Sequence, residues 1–449
     1  MRGVYPRARL LWVVVPVAAF ASTAHAAEGE LEDAPPPSSA LEIRTPIQRI
    51  ITEPPKRMPA RFPWIQQQLD KLPPFFADTE LEARFRTYYL REDKTTDALS
   101  EAWAMGGSIY YRSGWLADLF QAEVEAFTSQ PIVAPDSKDE TLLLQPAQDG
   151  YSVLGIANGK LRHKGIELTG GRVYLDMPYI NRQDNRMTPN TFEAISLQKP
   201  NGEFQFTTGY AWNIKLRNSD DFVSFSEAAG VDEDRGLAWG GAIWDTNKNF
   251  HGGVWAGVVP DLAGKAYGEL GVGRDLTGEW YGRIDGQFTY QFDIGDDLLG
   301  DAEDDTWNLA IRAAASHAGA VIRVGMAFAG PNVFRDFFGS SASYVDLMQR
   351  TFNRPKEKAL LASLSYDFSG LGADGLSVIV NFAAGFDGKV DGGRSDAQEV
   401  DVTIDYRVKK EGWMKSLWLR VRGSWLNDES ADRDGTDVRV ILRYDLPVI

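Results

Sequence analysis

Four histidines and no cysteine leave this 449-residue chain little nucleophilic or acid–base equipment. His25, His163, His251 and His317 show no metal-ligand spacing, and no Ser/His/Asp set has supporting context. Arginine is where chemistry concentrates. Arg420 and Arg422 alternate with Leu419 and Val421, Arg439 and Arg443 with Val438, Val440 and Leu442, and Arg84 and Arg86 flank Phe85. In an extended strand this spacing puts guanidiniums on one face and apolar groups on the other. A guanidinium pairs bidentately with a carboxylate. A row of them lets such a group move between partners of similar depth, so that no single site traps it. Lys160, Arg162 and Lys164 make a second basic strip. The competing reading is a polar wall whose arginines pair with Glu80, Glu82, Asp437 or Asp445.

The elements that must position these residues are strands. From Thr79 onward the apolar period is two. Val400, Val402, Ile404, Tyr406 and Val408 alternate with Asp401, Thr403, Asp405, Arg407 and Lys409, and 280–292 and 437–446 behave alike. The periodic segments run about nine to thirteen residues, long enough for a tilted strand to cross a hydrocarbon layer. Tyr89, Tyr210, Trp212, Tyr290, Phe292, Trp425 and Tyr444 sit at apolar strand ends, where a barrel carries its aromatic girdle. About eighteen such segments follow one another, an even number, as bacterial barrels require. Short connections (112–114, 199–202, 410–412) alternate with long ones (128–152, 217–235, 330–357, 387–397). The pattern predicts an all-β, transmembrane antiparallel barrel with short periplasmic turns and long extracellular loops. Strands 17, 18 and 1 become neighbours on closure, so the six arginines named first would share one wall.

Composition bounds the partners. The net charge of -16 argues against nucleic acid. A mean hydropathy of -0.29 suits a barrel whose inward residues face water. Arg2, Arg7 and Arg9, the apolar run from Leu10 and the Ala24-His25-Ala26 pattern read as a secretory signal over 1–26. Residues 27–78 are Pro-rich and read as a periplasmic segment, with one short helix between Trp64 and Leu72. The barrel would occupy 79–449. The acidic stretch 295–305 lacks the ligand spacing of a calcium loop, so no metal or cofactor is expected.

Five segments together resemble the OprD family of substrate-specific outer-membrane porins. RFRTYYLRED (84–93) resembles its opening Arg-x-Tyr-Tyr strand. DNRMTPNTFEA (184–194) resembles its Asp-x-Arg-x-x-Pro-x-Thr-Phe signature. FNRPKEKALLASLSYDFSGLGADGL (352–376) resembles its Phe-Asn-x-Pro-x-Glu-Lys segment, and MKSLWLRVRGSW and DVRVILRYDLP its last two strands. The likeness covers most of 76–449; the Pro-rich stretch before residue 75 departs from it. The resemblance implies an eighteen-stranded channel, monomeric or weakly trimeric, set among outer-membrane lipid and lipopolysaccharide. It also implies an eyelet made by inward-folded loops, and an Arg/Lys ladder facing an acidic side.

The ladder positions are then Arg84, Arg86, Lys160, Arg162, Arg420, Arg422, Arg439 and Arg443. The eyelet should draw on Tyr179, Asp184 and Arg186 from one loop and on Asp336, Tyr344 and Asp346 from another. The expected function is diffusion of small polar solutes, above all carboxylate-bearing ones, without chemistry on them. The alternative is a barrel with a plugged lumen, structural, adhesive or enzymatic.

Overall fold

Alternation of side chains decides the shape of this chain, because every strand can offer one face to lipid and one to the interior. The computed structural model describes residues 61–94, 99–245, 249–299, 305–336, 338–390, 393–409, 412–430 and 434–449. The expected leader at 1–26 and the Pro-rich stretch to residue 60 lie outside the described residues.

Eighteen strands close into an antiparallel barrel. The first six are β1 (Glu80–Lys94), β2 (Ser100–Arg112), β3 (Phe120–Val133), β4 (Tyr151–His163), β5 (Ile166–Val173) and β6 (Thr191–Lys199). Next come β7 (Phe204–Lys215), β8 (Leu237–Asp245), β9 (Phe250–Val259), β10 (Ala263–Asp275), β11 (Tyr281–Phe292) and β12 (Thr306–His317). Then follow β13 (Ala320–Ala329), β14 (Lys358–Asp367), β15 (Leu376–Val390), β16 (Gly393–Arg407), β17 (Leu417–Asp428) and β18 (Gly435–Pro447). β1 pairs with both β2 and β18, so no edge is left open. Phe85 lies opposite Tyr444 across that seam, their rings stacked at 6.5 Å.

The usual burial order is inverted. On β11, Ile284 and Phe288 are exposed while Arg283, Asp285, Gln287 and Thr289 are buried. The same order holds on β16 and β18. Apolar groups therefore point outward and charged groups inward, as lipid outside and a polar interior require. The long connections 134–150, 174–190, 216–236, 293–305 and 330–357 all leave from one end of the barrel.

Two expectations differ from the structure. The segment 387–397 is not a long loop: β15 runs to Val390 and β16 starts at Gly393. Its glycines and acids suggested a loop, but the strands extend above the apolar band, where period-two hydrophobicity no longer marks them. Before the barrel, the segment has two short helices, α1 (Pro63–Leu69) and α2 (Pro74–Ala77), each opened by a proline. They are tied to the barrel end through Arg61 N–H to Pro447 O (2.8 Å) and Gly114 N–H to Phe75 O (2.9 Å).

Among the described residues, apolar packing inside the barrel gathers where loops enter it. Leu175, Met177, Tyr179 and Ile180 pack with Phe192, Trp255, Tyr267, Phe334 and Phe338. Phe225 of α3 (Phe225–Ala228) meets Phe338 edge-on at 4.9 Å. Tyr344, Val345 and Phe352 rest on Ala310, Ala327, Ala359, Ala383 and Ala397. Those inward alanines leave the room that the loop fills.

Candidate functional site

Strand register brings the arginines of β17, β18 and β1 onto one inner wall. Arg422 is opposite Arg439, and Arg443 is opposite Arg86. Arg420 lies opposite Ile441 and Arg84 opposite Asp445. Most of these charges are engaged. Arg84 pairs with Glu82 and Glu125, each at 2.8 Å. Arg420 grips Asp405 at 2.7 and 2.8 Å and lies over the Trp418 ring. Arg439 pairs with Asp437 at 2.9 Å, and Arg443 with Asp445 at 2.8 Å. Arg422 differs: its guanidinium donates to the Thr403 hydroxyl at 3.1 Å, and among the described residues it has no carboxylate partner.

The second strip is separate. Lys160 pairs with Glu123 at 3.0 Å on the neighbouring strand. Arg162 pairs with Asp118 and covers the Trp115 ring, in the β2–β3 turn at the short-turn end.

Two loops fold inward against the wall. Asp184 of loop 174–190 accepts from Arg86 at 2.6 and 3.1 Å, and the Arg186 and Met187 carbonyls accept from the same guanidinium. Partial desolvation opposes the charge on Asp184, whose side chain is still 32% exposed, but Arg86 outweighs it and holds the carboxyl at about 2. Arg186 donates to the Thr141 and Asn185 carbonyls at 2.8 and 3.0 Å. Burial and the nearby Arg439 both lower its pKa. Arg217, just beyond β7, donates to the Asn185 side chain. Burial, with Arg186 and Arg439 beside it, lowers Arg217 to about 9. Neither Arg186 nor Arg217 has a carboxylate partner among the described residues.

Tyr179 is inserted into the opposite wall: its hydroxyl meets Thr289 at 2.7 Å, and Lys265 lies 4.3 Å from its ring. Asp336, from loop 330–357, pairs with that Lys265 at 3.1 Å. Tyr344 packs its ring under Arg312 at 4.5 Å. Asp346 is half-buried; desolvation raises its pKa well above the usual aspartate value despite the Ser341 and Ser343 hydroxyls. The loops are joined to each other. Asn181 donates to the Ser340 carbonyl at 3.1 Å and accepts from the Ser340 N–H at 3.0 Å. Asp184 and Arg186 thus come together with the arginine wall, whereas Tyr179, Asp336, Tyr344 and Asp346 hold the loops from the other side.

Sequence reasoning missed Arg217, Asn181 and Lys265. Arg217 and Asn181 lie in irregular chain with no period to orient them. Lys265 did have a signal, its place on a period-two strand.

A closed barrel with lipid-type outer faces, a charged interior and loops folded into it is an outer-membrane channel. The family match agrees: residues 73–448 match the outer membrane porin, OprD family, and the chain belongs to that family. Solved structures agree in fold. Pseudomonas aeruginosa OccK9 (OpdG) superposes with a TM-score of 0.77 at 24% identity, covering 84% of this chain and 100% of its own. P. aeruginosa OpdK, solved with vanillate, gives 0.74 at 22%, covering 83% and 100%. P. aeruginosa OccK2 (OpdF), solved with glucuronate, gives 0.73 at 18%, covering 84% and 100%. No curated protein sequence matches the chain.

Proposed function

We propose that this porin passes small carboxylate-bearing solutes along its arginine wall, with Arg186, Arg217 and Arg422 receiving the carboxylate at the constriction. One observation carries the reading: these three guanidiniums lack the carboxylate that nearly every other wall arginine has. A guanidinium rarely gives up its proton, so crowded ones gain most from a visiting anion. Arg439 and Arg86 adjoin the trio, and Arg420, Arg443 and Arg84 continue the row toward the short-turn end. Lys160 and Arg162 would meet the solute on exit. The partners of these arginines are local acids that a solute carboxylate can replace in turn. Vanillate and glucuronate, held by two structural relatives, are both carboxylates.

The test is flux through proteoliposomes of benzoate against glucose. Arg422→Ala should lower benzoate flux about tenfold, the worth of one charge-assisted bond, and leave glucose flux nearly unchanged. Arg422→Lys should restore part of it. Equal loss for both solutes would assign Arg422 to pore shape instead of anion recognition.

A further inference from the structure

Loop 330–357 meets the barrel wall over two acids. Glu399 and Asp401 lie two apart on β16, both facing inward and both excluded from water. Glu399 Oε1 accepts from the Gln349 N–H at 2.8 Å and from the Ser424 hydroxyl at 2.9 Å. Asp401 Oδ2 accepts from the Met348 N–H at 3.0 Å. The remaining oxygens, Glu399 Oε2 and Asp401 Oδ1, are buried with no hydrogen-bond partner among the described residues.

One cation reaches this pair without bonding to it: Arg422 acts on Asp401 through space and steadies a single negative charge there. From β17 come Ser424 and Arg422, and the Arg422 guanidinium donates to Thr403. β15 places Asn381 and Ala383 opposite Asp401 and Glu399. Asp437 of β18, opposite Ser424, is committed to Arg439. The loop brings Asp346, itself acidic and half-buried, with Asp336 beyond it. Two ionised carboxylates side by side here would repel at close range and without water. One proton held between them removes the repulsion and gives each orphan oxygen a partner.

We propose that Glu399 and Asp401 share one proton, and that this proton latches loop 330–357 at its constricting position. In the latched state the pair accepts the Met348 and Gln349 amides while carrying one negative charge. Loss of the proton to alkaline solution leaves two adjacent charges, and the loop withdraws so that water can reach both. The loop still holds at its far end, where Arg350 and Arg354 both pair with Asp428. Withdrawal is therefore confined to the segment around 344–349, and it widens the lumen. The acids are positioning residues, acting on solute through the loop.

The consequence for permeation rests on the channel reading, so two readouts are paired. The first is single-channel conductance in a planar bilayer. The second is hydrogen exchange of the Met348 and Gln349 amides, corrected for intrinsic rate. Wild-type conductance should rise, and amide protection fall about tenfold or more, between about pH 5 and about pH 10. Glu399→Gln removes one charge and supplies an N–H in place of the shared proton. It should keep both readouts at their acid values throughout, and Asp401→Asn should do the same. Protection independent of pH in the wild type, or a wild-type pH step surviving in both amide variants, would overturn the latch. Absence of conductance with the exchange step intact would reject the channel reading and leave the latch standing.

Discussion

Arg443 and Arg422 carry the same charge on neighbouring strands, yet they should matter differently to a passing anion. Arg443 is answered by Asp445 two residues away, so its field is largely cancelled. Arg422 has only a hydroxyl. Arg443→Ala should therefore change the benzoate-to-glucose flux ratio by less than about threefold, against about tenfold for Arg422→Ala; equal effects would mean that pairing does not grade the row. Asp184 gives a second residue-level expectation, at acid pH. Its carboxyl is depressed to about 2 by Arg86, against the opposing effect of partial desolvation. A depressed carboxyl lends its stability above the ordinary carboxylate range and loses it as pH falls through its own value. The tether of loop 174–190 should thus hold unchanged from neutrality to about pH 4 and weaken toward about pH 2. Exchange of the Asn185 to Met187 amides would show this. In Asp184→Asn the acid step should vanish and protection should be lower at neutral pH.

At the scale of the strand, one glycine fixes the seam between β1 and β2. Gly107 has a φ of 133°, and a Cβ there would come within 1.8 Å of the Arg84 carbonyl oxygen. Gly107→Val should break the pairing at Arg84 and destabilise the barrel by about 2 kcal/mol or more. A lower temperature for loss of the folded band in heat-modifiability gels would register it. The strands themselves were legible because lipid outside and polar interior impose a period of two that nothing else in the chain imitates. Even the inward assignment of Arg84, Arg422 and Arg439 followed from their apolar neighbours. The loops were not legible to that degree. Asn181 and Ser340 meet across 159 residues of sequence, and no local pattern announces such a contact. A partial signal did exist in the inward alanines: Ala310, Ala327, Ala359, Ala383 and Ala397 stand where a lumen wall should be polar, under the loop that covers them. Arg217 had no such signal, since it follows β7 in chain without period. Its placement depends on where Asn185 is brought, which belongs to the tertiary fold.

For the molecule as a whole, the decisive physical fact is that its outer surface suits hydrocarbon and its interior is charged. That arrangement can be tested at a site with no steric complication. Leu270 sits near the middle of β10, points outward and is 55% exposed. Its register partners on the two adjoining strands are Gly252 and Gly286, so a longer side chain meets little resistance there. If water bathed this surface, Leu270→Arg would be nearly neutral, as exposed substitutions usually are. With hydrocarbon around it, an arginine near the midplane should cost about 2–4 kcal/mol. Reversible urea unfolding from phospholipid vesicles separates the two cases. A loss in that range fixes β10 as lipid-facing at the centre of the band. A change within about 0.5 kcal/mol would place Leu270 outside the hydrocarbon, and the whole outward face would need a different solvent.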